Sequence, residues 1–381
     1  MQANDIAIVG AGIMGLAHAY HAARAGMTVT VFERDPFANG ATTRNFGMLA
    51  LIAQAEGVPM DSALRNLGCW QEVAPLANIN LLQNGCLFLA KHAQEMDVLT
   101  EFSKLKRTGG SSEKILTPKE LLSYATSVQQ ANLIGGLWSD NAWKIDQRNA
   151  PAQLATWLAE KYNVEFHYDT EVSNLSLPAI ETNNGNFRCN RAIICSGSDF
   201  TTLYPEAFAN TSVNQCTLQM MRTVPQPNSW TLNPFILGGL SLSRYAAFAD
   251  CAGIDELKQF QQSHYPTELA HGIHAIACQE ADGSVTLGDS HKYGELLSTG
   301  SEPVTDQLIL DQIDSLISLP NTQIAERWTG VYAHATDSQV LKLSPSSNVT
   351  IVTDTAGQGV THAFATAEDV MAEISQEPAR Q

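Results

Sequence analysis

Residues 6–33 read IAIVGAGIMGLAHAYHAARAGMTVTVFE, and this stretch decides the fold class. Ile6 to Val9 is continuously apolar, which suits a strand covered on both faces of a parallel sheet. Gly10-Ala11-Gly12 then turns the chain, an alanine-rich run continues to Gly26, and Val29 to Phe32 is again apolar. The pattern predicts strand, tight turn, helix and strand, with Gly26 ending the helix because glycine enters the left-handed conformation without steric cost.

Gly10-Ala11-Gly12-Ile13-Met14-Gly15 has the spacing of a dinucleotide-binding turn, and the flanking strand and helix are the context that gives such a pattern meaning. Gly10 permits the turn, Gly12 lets backbone N–H groups approach a pyrophosphate, and Gly15 lets the helix sit close to the strand. Glu33, with Arg34 beside it, falls where a carboxylate accepts hydrogen bonds from ribose hydroxyls and disfavours a 2′-phosphate. A turn that merely packs closely is the alternative, and the register of strand, helix and Glu33 weighs against it. The motif serves FAD and NAD alike.

The chain has 381 residues, 44% hydrophobic and 16% charged, a globular composition long enough for two folding units at roughly 150 residues each. No apolar run reaches the ~18 residues that span a bilayer, and only the polar stretch Met1 to Asn4 precedes the first strand. A cytoplasmic protein without a signal peptide is therefore expected. Seven scattered cysteines without paired or His/Cys ligand spacing point to reduced thiols and to no metal site. A net charge of −17 argues against nucleic acid and anionic lipid as partners of the whole surface.

Two more α/β passages follow. Leu154 to Tyr162 is predicted helical, Val164 to His167, Glu171 to Val172 and Ala192 to Cys195 extended, and Val349 to Thr353 runs through a glycine turn into a helix over Ala356 to Ala372. Between them, β-type runs such as Gly272 to Cys278 and Ser284 to Gly288 suggest an inserted unit.

The loop Gly40-Ala-Thr42-Thr43-Arg44-Asn45-Phe46-Gly47-Met48 resembles the segment that lies along the flavin in the D-amino-acid oxidase and glycine oxidase superfamily. Ala192-Ile-Ile-Cys-Ser196-Gly197, Arg327-Trp328-Thr-Gly330 and Ala356-Gly357-Gln-Gly359-Val360-Thr361 are similar to later stations of the same family, in the same order. The resemblance covers essentially the whole chain and implies FAD, held non-covalently, because the 42–48 loop has neither His nor Cys and the segment from Arg327 has no Cys. It also implies an α/β (α+β overall) fold of D-amino-acid oxidase type. A Rossmann-type FAD-binding domain (1–80, 145–215 and 325–381, with Val172 also at the cofactor) would carry an inserted, mainly antiparallel β substrate domain (81–144 and 216–324). Arg44-Asn-Phe-Gly-Met48, Gln219-Met-Met-Arg222, Leu287-Gly-Asp-Ser-His291 and Gly357-Gln-Gly359 are further similar to a bacterial subgroup associated with aminophosphonate breakdown. Leu49-Ala50-Leu51-Ile52 departs from that subgroup, which has a Trp-Pro pair there, and this puts its substrate in doubt.

The implied reaction is oxidation of a small amine or amino acid by hydride transfer to flavin N5, followed by hydrolysis of the imine. Oxygen or an unidentified carrier would take the electrons. An acidic group on the substrate calls for a guanidinium, and Arg222, Arg244 and Arg327 are the candidates, with Arg44 read as serving the flavin. Tyr245, Tyr332, His291 and His334 are candidate orienting or proton-accepting groups, although each alone also reads as an ordinary aromatic or surface histidine. A strand over Leu240 to Phe248 would put Arg244 and Tyr245 on opposite faces. The competing readings are an NAD-linked dehydrogenase, which needs neither the 40–48 loop nor the Gly357 turn, and a flavin-binding sensor or assembly subunit without catalysis.

Overall fold

A computed structural model describes residues 4–108, 113–294 and 300–376, so the leading stretch is described only at Asn4. The opening unit forms as the sequence implies: strand Asn4–Val9, helix Ile13–Arg24 and strand Val29–Phe32. The helix ends in a Schellman turn, with Gly26 at φ +84° donating to the carbonyl of Ala23 at 2.9 Å and Met27 to that of Ala22 at 3.2 Å. Ile6, Ala7 and Ile8 are wholly buried, as expected of a central parallel strand.

Five parallel strands stand in the order Val349–Asp354, Gly185–Ile194, Asn4–Val9, Val29–Phe32, Glu165–His167. Val340–Ser346 pairs antiparallel at one edge, and the strands Val172–Ser176 and Ala179–Thr182 fold back antiparallel on Gly185–Ile194. From Asn4–Val9 the chain first builds outward to Val29–Phe32 and Glu165–His167, then returns to build the other side. The crevice beyond Val9 and Ile194 is therefore a topological switch point, where ligands bind in open α/β sheets.

Helices cover the sheet. Val58–Leu76 and Ile13–Arg24 both pack on Gly359–Gln376, and the rings of Tyr20 and Trp70 meet Phe364 edge-on at 5.6 and 5.1 Å. Asn66 and Trp70 donate to the carbonyl of Val360 at 3.0 and 3.1 Å, fixing the first turn of that last helix.

The second sheet has nine strands and is antiparallel except between Phe235–Leu237 and Cys86–Ala90. Its longest pairing joins Asn214–Thr223 to Ile324–His334. The latter strand thus belongs to this sheet, although the third segment of the nucleotide unit was expected to begin at 325. A two-stranded ribbon, Met48–Ala50 with Ala142–Lys144, lies apart from both sheets. The run Leu240 to Phe248 is not a strand: it forms two short 3₁₀ turns, Gly239–Ser241 and Ala246–Phe248. Phe248 packs its ring on Phe102 and Phe88 at 4.4 and 5.3 Å, and these tertiary contacts override the local β-type pattern. The final helix begins at Gly359 rather than Ala356, since Gly357 takes φ +69°.

All seven cysteines are free thiols, six of them buried and Cys69 partly so. Among the described residues no helix is long and apolar enough to cross a membrane, and no cluster of His, Cys, Asp and Glu is placed to hold a metal ion.

Candidate active site

A cavity of about 960 Å³ opens at the switch point and runs from the glycine turn to the second sheet. That is the upper end of the ~300–1,000 Å³ usual for ligand pockets, room for an extended cofactor and a small substrate.

At one end the walls are backbone. Gly10 takes φ +104°, and a Cβ there would stand 2.4 Å from the carbonyl oxygen of Cys195. A Cβ on Gly15 would stand 1.9 Å from the carbonyl oxygen of Gly10, so Gly15 sets the distance between helix and strand. Gly12 is different: a Cβ there would meet only Thr42 Oγ1, at 3.1 Å. That hydroxyl accepts the Ile13 N–H at 3.0 Å, tying the 40–48 loop to the helix start. Glu33 accepts the Ala11 N–H through Oε2 at 2.8 Å and the Asp35 N–H through Oε1 at 3.1 Å.

Asn45 braces the loop, donating to the carbonyls of Ala41 and Thr42 and accepting the Gly47 N–H at 2.7 Å. Arg44 donates to the carbonyls of Asn39 and Thr329 at 3.0 and 2.9 Å, and Trp328 donates back to the Arg44 carbonyl at 3.4 Å. These two residues fasten the loop to the strand Ile324–His334. Gly330 allows the close crossing, since a Cβ there would lie 3.2 Å from the Arg44 carbonyl oxygen.

Ile13, Met14, Phe46, Met48, Val172, Ser196, Gly197, Gly330, Gly359, Val360 and Thr361 all border the cavity, as do Gly10, Gly12, Glu33, Thr42, Arg44, Asn45 and Gly357. Arg34 borders it too and pairs with Asp199 at 2.7 Å. Burial alone would raise the Asp199 carboxyl, but hydrogen bonds from Thr202 and Thr201 and the Arg34 guanidinium take its pKa down to about 2. Ala11, Gly15, Thr43, Gly47 and Trp328 do not border the cavity.

The three candidate arginines part company. Arg222 lies outside the cavity and pairs with Glu326 at 2.9 Å, sharing that acid with Arg148. Arg327 is also outside and pairs with Asp306 at 3.0 Å. Strand alternation explains Arg327, which is on the face opposite Gly330 and Tyr332, whereas Arg222 shares the face of Leu218 but stands at the far end of its strand, beyond the cavity. Arg244 alone of the three borders the cavity, together with its neighbour Tyr245. The 3₁₀ geometry brings both to one side, where an extended strand would have parted them. Arg244 is exposed to the cavity and donates to the hydroxyls of Tyr293 and Tyr332 at 3.0 and 3.5 Å. Among the described residues no carboxylate lies within ion-pair distance of it.

Beside it sits a buried carboxylate that the sequence did not single out. Asp289 is within 3.3 Å of His274 Nδ1 and 3.7 Å of His291 Nε2. Burial lowers both imidazoles, His291 to about 3, while Asp289 stays ionised because the histidines and Arg244 outweigh its own burial. His274 and Asp289 also exchange both backbone hydrogen bonds at 2.8 Å, a pairing that no local pattern announces. Asp289 was within reach: it stands two residues before His291 in Leu287-Gly-Asp-Ser-His291. Tyr332 joins the two ends of the cavity, for its ring lies 3.0 Å from where a Cβ on Gly357 would stand. The His334 ring lies tilted against that of Tyr293, centroids 4.4 Å apart, and burial lowers its pKa.

The fit to a flavin dinucleotide is thus carried by a glycine cradle that side chains would fill, an acid at the second strand and a cavity of sufficient length. The sequence profile of the DAO family, described as FAD dependent oxidoreductase, matches residues 5–374. The chain belongs to this family. Like other DAO-family proteins it is an FAD-dependent oxidoreductase.

Its relatives include the glycine oxidase of Geobacillus kaustophilus, 27% identical over 208 residues, which are 51% of this chain and 54% of that one. The bifunctional tRNA-modifying protein MnmC of Magnetococcus marinus is 27% identical over 252 residues, 62% of this chain and 35% of that protein. The chain thus spans about half or less of the curated relatives that it matches. Among solved structures, glycine oxidase from Bacillus cereus superposes with a TM-score of 0.79 at 14% identity, over 98% of this chain and 96% of that one. L-proline dehydrogenase from P. horikoshii gives 0.79 at 19% identity, over 98% and 94%. At these identities the superpositions establish the DAO fold.

Proposed function

We propose that this DAO-family chain oxidises the C–N bond of a small amino acid or amine that carries an acidic group. The observation that carries the reading is Arg244, a cavity guanidinium that donates to two phenol hydroxyls and, among the described residues, pairs with no acid. Such a group suits a carboxylate or phosphonate, whose oxygens match its forked donors. The named activities of the glycine oxidases and of L-proline dehydrogenase support the same substrate class.

The flavin, when bound, accepts a hydride from the carbon bearing nitrogen. The protein's part is to orient the substrate. Arg244, with Tyr293 and Tyr332 fixing its fork, holds the acid. Neutral His274 and His291 flank the Asp289 carboxylate, which borders the cavity as an acceptor for the N–H groups of the substrate amine; the lowered pKa values make all three weak bases, so the ammonium proton is lost to water. The imine product is released to water and hydrolyses to a carbonyl compound and ammonia or amine. In this scheme the parallel sheet with its helices is the cofactor unit and the antiparallel sheet the substrate unit.

An aminophosphonate is the finer version of the reading. It rests on the similarity around Arg44, Gln219 and Leu287 and on Arg244 with the two phenol hydroxyls beside it, and Leu49-Ala50 weighs against it. The test is anaerobic mixing of the flavin-loaded protein with amino acids, plain amines and aminophosphonates while the flavin absorbance is followed. Bleaching by acidic amines alone is the expected result. Bleaching by neutral analogues at equal rates removes the acid clamp, and no bleaching by any amine removes the reaction class. Readmitting oxygen and assaying peroxide separates oxidase from dehydrogenase.

A further inference from the structure

The carbonyl oxygen of Ala50 sets the direction of a hydrogen-bond chain that ends at the cavity wall. A carbonyl only accepts, so Gln54, which reaches it at 2.9 Å, must do so through its Nε2 donor. That assigns both ends of a buried amide whose orientation is otherwise ambiguous. The Gln54 oxygen then faces His362 Nε2 at 3.0 Å, and His362 must carry its proton on that nitrogen. Burial holds this imidazole neutral, its pKa pushed down to about 4, so Nδ1 is bare and accepts the Ser62 hydroxyl at 3.0 Å. The second N–H of Gln54 goes to the Oε1 of Gln358 at 2.8 Å. With its oxygen turned to Gln54, the Gln358 amide is oriented so that its NH₂ group is on the side away from Gln54. It borders the cavity between Gly357 and Gly359.

We propose that Gln358 donates a side-chain hydrogen bond to an oxygen of the bound flavin, and that Gln54 and His362 are positioning residues that fix the polarity of its amide. This rests on the placement of the cofactor in this cavity. Without the chain, the Gln358 amide would present oxygen or nitrogen with equal ease, and an oxygen facing an oxygen repels. A fixed donor also gains strength as negative charge accumulates on the reduced ring, so it favours reduction as well as binding.

The experiment uses the purified holoenzyme, and apoprotein titrated with FAD, to measure dissociation constant, visible spectrum and reduction potential. Gln358→Glu keeps the shape and replaces the donor with an acceptor. Expected are FAD binding weaker by about 10-fold or more, as for a lost hydrogen bond plus a repulsion, and a more negative potential. Gln54→Glu can donate neither to Ala50 nor to Gln358, and should move the potential the same way by a smaller amount. Ser62→Ala removes a donor without reversing any later link, and should leave affinity and potential at the parent values. A Gln358→Glu protein with parental affinity and potential overturns the proposal, and so does a Ser62→Ala shift as large as that of Gln54→Glu. Should Gln54→Glu fail to fold, the Gln358 variant alone still decides. A parent protein that binds no FAD defeats the cofactor placement itself, a different failure.

Discussion

Ala11 donates its backbone N–H to the Glu33 carboxylate at 2.8 Å, so the acid that ends the second strand also clamps the first glycine turn. Both carboxylate oxygens are engaged, the other by Asp35. In Glu33→Gln one of them becomes an NH₂ that opposes an N–H donor. The expected outcome is FAD binding weaker by about 10-fold or more, for a charge-assisted bond of roughly 1.5–3 kcal/mol. Titration of apoprotein with FAD, read by flavin fluorescence, measures it. Parental affinity would place the ribose elsewhere.

The two glycines of the turn should fail in different ways. Gly15→Ala meets rigid backbone, so the fold itself must shift, and both thermal midpoint and flavin content should fall. Gly12→Ala meets only a threonine hydroxyl, so the apoprotein should keep its midpoint while flavin content drops. Differential scanning calorimetry of both apoproteins separates these outcomes. Equal destabilisation would mean that Gly12 also has a packing role.

Arginine replacements should sort by location. Arg244→Met is expected to keep the flavin, raise the apparent KM for an acidic amine and slow reduction by about 10-fold or more. Arg222→Met and Arg327→Met remove partly exposed ion pairs, each worth about 0–1 kcal/mol of stability, and should reduce at the parental rate. Rapid-mixing anaerobic reduction is the assay. A slow Arg327→Met with a normal Arg244→Met would reverse the assignment.

Acid should unfold this protein through its histidines. Burial lowers His18 to about 4, His291 to about 3 and His362 to about 4. As pH falls below 6.5 the unfolded chain takes up protons that the folded state refuses. Stability is therefore full above pH 6.5 and is lost progressively toward pH 4, by up to about 1.4 kcal/mol per pH unit for each group. Asp354 runs the other way: burial raises it to about 6, so the folded state binds its proton first and gains as pH falls from 6 toward 4. One such carboxyl offsets only part of three imidazoles. Urea midpoints at pH 7.5 and pH 5 should differ, the acid one lower. Equal midpoints would mean that these rings accept protons in place.

The cofactor end of the molecule was legible because its requirements are local. A glycine that must admit another backbone, as Gly10 and Gly15 do, leaves a mark at fixed spacing, and so does an acid closing the next strand. The substrate end was legible only as a set of residue types. Arg222, Arg244 and Arg327 are alike in sequence, and what divides them is the face and the end of the strand or turn that each occupies, of which only that of Arg244 reaches the crevice. His274 and Asp289 are partners through long-range backbone pairing, with nothing in either neighbourhood to announce it. Gln54 and Gln358 are 304 positions apart, and their link exists only because the helix Gly359–Gln376 docks beside the turn at Ala50.

That docking also imposes an order of events in the cell. The helix Gly359–Gln376 packs on Ile13–Arg24, so a segment made later in translation closes over one made earlier. Until Thr361 has been synthesised the glycine turn lacks its opposite wall. Domains fold as units, N-terminal ones first. Within this one the cavity is walled on all sides only once the turn at Gly357 and the helix behind it have been made.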